Sequence, residues 1–169
     1  MNLTQAYRAE LDQELSTTRR LLERVPTDKL AWSPHAKSFT MGKLATHVAH
    51  LPSWTGITLT TSELDVAAPR EQPKPETTEE ILALFDETRA DALKALDAAP
   101  ESVWGETWTL RAGDHVIFSM PKAAVMRAFV LSHVIHHRGQ LSVYLRLLEV
   151  PVPSIYGPSA DESPFPQPR

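Results

Sequence analysis

Four stretches of this chain repeat apolar residues at three- and four-residue steps, and proline marks a boundary or a break in each. That period lays one apolar face along a helix, and it restricts the fold more than any other feature of the sequence. The first stretch carries Leu3, Tyr7, Leu11, Leu15, Thr18, Leu22 and Val25 and stops at Pro26. The second begins near Phe39 or Thr40, with Ser38 and Thr40 both suited to cap it, and shows Met41, Leu44, His47, Val48 and Leu51. Pro52 falls inside that pattern while Ile57, Leu59 and Leu64 extend it, so a kink is expected rather than a stop. The third is capped by Thr77 or Thr78, with Thr77 and Glu80 at capping-box spacing. It presents Ile81, Leu84, Phe85, Thr88, Ala92, Leu96 and Ala99 before Pro100. The fourth opens at Pro121, which suits a first helical turn, and runs to about Glu149. Its face comprises Val125, Met126, Phe129, Val130, His133, Val134, His137, Leu141, Tyr144, Leu145 and Leu148.

Four such helices in one domain predict an all-α four-helix bundle. The intervening segments 26–38, 66–76 and 100–120 are long enough to permit a crossover connection. Within the last of them Thr107–Arg111 alternates, Ala112-Gly113-Asp114 offers a turn, and His115–Phe118 favours strand. A short β-hairpin between the third and fourth helices is therefore expected.

With 169 residues, the chain has the length of one domain. Six of its 14 prolines lie in 151–169, so a bundle over 1–150 followed by an extended proline-rich tail is expected. There is no cysteine, which excludes disulfides, thiolate zinc sites and a cysteine nucleophile. The charge balance, 17 Lys and Arg against 21 Asp and Glu, argues against broad phosphate-backbone binding, and no nucleic-acid partner is expected. The first ten residues contain no basic start followed by an apolar run, and no window approaches a membrane span. A cytoplasmic protein with no membrane partner is the expectation.

Five of the seven histidines fall in two places: His47 and His50 in the second helix, and His133, His136 and His137 in the fourth. His133 and His137 are four apart, so their rings point the same way, the spacing by which one helix offers two imidazoles to one metal ion. The alternative is a pair of core rings bonded to carbonyls. Unpaired polar rings among apolar neighbours would be costly, and His47 lies on the core stripe of another helix. If those two helices face each other, His47, His133 and His137 form a three-imidazole site with open coordination positions. His50 is the rival to His47, and His136 is turned away from the pair. Ligation requires neutral rings, so affinity is expected to fall below about pH 6.5.

The string His133-Val134-Ile135-His136-His137-Arg138-Gly139-Gln140 resembles the H-x-x-H-H-R-G-Q signature of the DinB/YfiT-like metal-binding bundle family. The segment Ser38 to Val48 followed by Trp54, with Trp32-x-Pro34 before it, resembles that family's second-helix block. The resemblance spans about residues 3–150. It implies an up-down-down-up bundle, often dimeric, in which His47, His133 and His137 bind a divalent ion such as zinc or nickel. Some relatives are transferases that use a low-molecular-weight thiol as cosubstrate.

The expected function is therefore a metal-dependent thiol S-transferase acting on a small electrophile, with no catalytic residue assigned beyond the metal ligands. The alternatives are a non-enzymatic metal-binding or stress-response protein and a metal-dependent hydrolase; no H-E-x-x-H-type carboxylate accompanies the histidines. A homodimer is expected from the resemblance. Of the neighbouring residues, Arg138 is either an anchor for an anionic substrate group or an exposed arginine. Gly139 suggests close helix approach. Gln140 is suited to hold a histidine N–H. Tyr144 points its hydroxyl to the cavity or packs in the core. Trp32, Trp54, Trp104 and Trp108 are expected to pack, and His115 to be exposed.

Overall fold

The computed structural model describes residues 2–163. The last six residues of the proline-rich tail lie outside the described residues. The molecule is mostly helical and carries a small three-stranded sheet, built from α1 (Leu3–Leu22), α2 (Met41–His50), α3 (Trp54–Thr60), β1 (Glu63–Asp65), α4 (Thr78–Ala98), β2 (Thr107–Ala112), β3 (His115–Pro121), α5 (Lys122–Val125) and α6 (His133–Leu147). The apolar stripes become the core. Leu11, Leu15, Leu22, Leu44, Val48, Ile81, Phe85, Leu96, Val130, Leu141 and Leu145 are all buried in one cluster.

Local chemistry sets the helix starts. Asn2 and Gln5 form a reciprocal capping box at α1. Of the two rivals at α2, Thr40 is the cap, its hydroxyl accepting from the Lys43 N–H at 3.2 Å. Thr77 caps α4 by accepting from the Glu80 N–H, but the Glu80 carboxylate reaches back to the Glu76 N–H rather than to the cap residue. Pro52 produces the expected break without a stop: a 3₁₀ turn over Leu51–Ser53 joins α2 to α3. Pro121 sits one position before the helix, as the cap of α5.

The apolar pattern after Pro52 has two origins. Ile57 and Leu59 belong to α3, whereas Leu64 lies in β1. That strand pairs in parallel with β2, Leu64 opposite Leu110, and β2 pairs antiparallel with β3. Arg111 fixes the pairing by bonding Glu63 and Asp65. The hairpin turn uses Gly113 at φ 57°, a left-handed conformation that glycine adopts without a Cβ penalty. Leu64, Trp108, Leu110 and Val125 form a second small core under the sheet. The Phe118 and Phe129 rings, 4.4 Å apart, join it to the fourth helical segment.

That fourth segment is not a uniform α-helix. Between α5 and α6, Met126–Ser132 forms π-helical turns. Within those turns Met126, Val130 and Leu131 are buried, and the buried spine then follows Val134, Arg138, Leu141 and Leu145. His133 and His137 consequently stand beside this spine, half-buried, rather than at the centre of one broad apolar face.

Candidate metal centre

The site lies where α2 meets α6. The first turn of α2 is pinned by the preceding loop: the Met41 and Gly42 N–H groups donate to the carbonyls of Trp32 and Leu30 at 2.7 and 2.9 Å. A Cβ at Gly42 would stand 3.1 Å from both the Cβ and the carbonyl oxygen of Leu30, so glycine permits this approach. From α6, the Tyr144 hydroxyl donates to the Phe39 carbonyl at 3.2 Å, and its ring meets Trp32 edge-on. Tyr144 thus fastens the end of one histidine-bearing helix to the start of the other.

This packing brings His47, His133 and His137 together. One ligand nitrogen from each lies within 4.8 Å of the other two, a geometry able to hold a metal ion. The Nε2 atoms of His47 and His133 are 3.2 Å apart. The His137 Nδ1–H donates to Gln140 Oε1 at 2.7 Å, which leaves its Nε2 with a free lone pair. His133 is held by a hydrogen bond to the Phe129 backbone, within the π-helical turns. The converging set contains imidazoles and, among the described residues, no carboxylate.

The rings are held neutral. Burial pushes His47 down to about 4, assisted by the charges that His137, His133 and His50 would carry. Burial also lowers His133, with His137 adding to the effect and the Phe129 hydrogen bond opposing it. His137 is lowered chiefly by burial, against the pull of Gln140. These depressed values revise the expected onset of proton competition, moving it below pH 6.5 and, at His47, towards pH 4.

Other sequence candidates separate cleanly. His50 is half-buried and faces a cleft of about 560 Å³ that opens from His47, and burial and the Arg70 charge lower its pKa. His136 is exposed beside a shallow hollow with Phe129 and His133. His115 is exposed on the hairpin. Trp104 and Trp108 are buried and donate to Thr4 and Thr61, and Trp32 and Trp54 pack against the core.

Two expectations are corrected. Arg138 is neither an anion anchor at the site nor exposed: it is 1% accessible, paired with Glu14 at 2.6 Å, and bonded to the Glu14 carbonyl and the Tyr156 hydroxyl. Its side chain reaches to α1 instead, although the His137 ring precedes it directly in sequence. Gly139 meets no close neighbour, since a Cβ there would find nothing within 4 Å.

Sequence reasoning missed Phe39, Lys43 and the 72–75 wall of the cleft. The i,i+4 spacing of Phe39 and Lys43 was an available signal, whereas the loop wall arrives from a distant segment with no local one.

A mostly helical protein with a small sheet and a three-histidine cluster between two helices defines the class. The DinB family profile matches residues 1–169, and the chain belongs to the DinB family. It is 26% identical over 149 residues to the Bacillus subtilis (strain 168) protein YrdA, covering 88% of this chain and 85% of that one. The crystal structure of a DinB-like protein from Bacillus cereus ATCC 10987 superposes with a TM-score of 0.69 at 18% identity, covering 90% of this chain and 97% of that one. A second, from B. subtilis, gives 0.67 at 16% identity, covering 86% and 95%. These likenesses establish the fold. Among the described residues no helix is long and apolar enough to cross a membrane.

Proposed function

We propose that His47, His133 and His137 hold one divalent ion, zinc or nickel, and that the protein is a metal-dependent thiol S-transferase acting on a small electrophile. The observation that carries the reading is the convergence of three neutral imidazoles beside an open cleft, in a chain with no cysteine of its own. The donor set fits such an ion: three nitrogen ligands suit these metals and leave positions free for a small molecule. When bound, the ion lowers the pKa of a thiol or water that reaches it.

The chain's own residues have separate tasks. The depressed histidine pKa values spare the site a proton to displace at neutral pH. Gln140 fixes the tautomer and rotation of His137. Phe39 stands edge-on to His47 at 6.2 Å and shields one side of its ring. The chain has no cysteine, and among the described residues no carboxylate joins the three imidazoles, which favours a thiol brought by the cosubstrate over hydrolysis.

The reading extends to the four long helical segments as an up-down-down-up bundle over 1–150, with the tail as an appendage, and to a cytoplasmic homodimer. Elemental analysis of purified protein, followed by assays pairing an aryl halide with several low-molecular-weight thiols, tests the activity. The expected result is metal-dependent thioether formation that chelation abolishes. Turnover unaffected by complete metal removal would overturn it.

A further inference from the structure

The cleft beside His47 has two walls. One is α2 with the residues before it, contributing Phe39, Thr40, Lys43, Thr46 and His50. The other is the loop segment Gln72, Pro73, Lys74 and Pro75. Its volume of about 560 Å³ lies within the range of small-molecule sites. The lining includes Lys43 and Lys74 and no carboxylate, although the chain has more acidic than basic residues.

The ion-paired lysines among the described residues are Lys29 and Lys122, so neither Lys43 nor Lys74 is neutralised by a neighbouring acid. Glu71 lies in the adjoining hollow together with Arg70 and Lys74. Lys43 is held at the histidine end, its Nζ 4.5 Å above the Phe39 ring, which itself meets His47.

We infer that this cleft binds a small carboxylate-bearing molecule, its carboxylates on Lys43 and Lys74 and its opposite end at the three histidines. Carboxylate is favoured over phosphate by the donors that are missing. No arginine lines the cleft, and the first N–H groups of α2 are already spent on Trp32, Leu30 and Thr40. Phosphate sites draw on such forks and free amides. Two ammonium groups lining one cleft suit carboxylate oxygens instead.

The inference rests on the proposed metal site for the ligand's reactive end, but the anion subsite can be tested alone. Metal-free full-length protein is titrated with succinate at low ionic strength and followed by amide NMR. Saturable shifts confined to Lys43, Thr46, His50 and residues 72–75 are expected. Two lysine–carboxylate contacts at an open cleft are together worth about tenfold in affinity, so K43Q/K74Q should weaken binding by about that factor with unchanged circular dichroism. Scattered shifts, shifts indifferent to the double variant, or tighter binding of inorganic phosphate would overturn the inference.

In cobalt-loaded protein, thiolate-to-cobalt absorption should show mercaptosuccinate preferred to 2-mercaptoethanol by about the same tenfold, and K43Q/K74Q should abolish that preference. Equal affinities would contradict it. Succinate binding without metal uptake would leave the cleft standing and remove the proposed function. Metal uptake without a succinate site would do the reverse.

Discussion

His137 and Arg138 are adjacent in sequence, both cationic when protonated, and serve opposite ends. Arg138 is buried with its charge fully answered: Glu14 pairs with it, and the Glu14 carbonyl, Thr18 and Tyr156 take up further guanidinium bonds. His137 is half-buried beside two more imidazoles, and its ring N–H donates to Gln140 Oε1. A buried charge with a complete set of partners is part of the fold. Several neutral bases that crowd together without an opposite charge form a set able to hold a metal ion. The difference follows from helix phase, since one residue turns the side chain by about 100° and moves it from the spine to its flank.

Breaking the Arg138 side of this comparison should have the largest effect. Arg138→Ala leaves the largely covered Glu14 without its cation, a loss of up to about 3–5 kcal/mol. Denaturant unfolding should register that loss, while the fraction that remains folded should keep its metal stoichiometry. A variant with near-normal stability would show that the pair is not structural.

Gln140→Ala tests the other side. It removes the partner that orients His137, which should cost about 10–100-fold in metal affinity. Thermal stability of the metal-free protein should hardly change, because Gln140 is exposed. The contrast with Arg138→Ala, one variant losing fold and the other losing affinity, is the sharpest form of the comparison.

A smaller effect is expected from pH. The unfolded chain protonates His47 near its ordinary value of 6.5, whereas burial in the folded protein holds it down to about 4. Between those values the unfolded state binds more protons, so stability falls as pH drops through that window. Thermal melting of the metal-free protein from pH 7.5 to 4 should show this slope. His47→Ala should reduce it, with the lowered values of His50, His133 and His137 leaving a remainder, and an unchanged slope would assign the acid sensitivity elsewhere.

The helices were legible because their apolar period is local, and the histidine trio because His133 and His137 share a flank while His47 interrupts a core stripe. What escaped was set by distant partners. Leu64 reads as a continuation of the helical pattern, yet β1 exists because β2, more than forty residues later, supplies its hydrogen bonds. The π-helical turns over Met126–Ser132 interrupt the α-helix, and no proline or glycine in that segment marks them. Arg138 looked like a site residue because it neighbours His137, while its true partner, Glu14, lies in the first helix.

The most direct test of the three-histidine site is metal content after loading and exhaustive washing, read by elemental analysis for the wild type and for single alanine variants of five histidines. About one divalent ion per chain is predicted for the wild type, His50→Ala and His136→Ala, with severe loss in His47→Ala, His133→Ala and His137→Ala. Retention of the ion in the last three variants, or its loss only from His50→Ala and His136→Ala, would contradict the assignment.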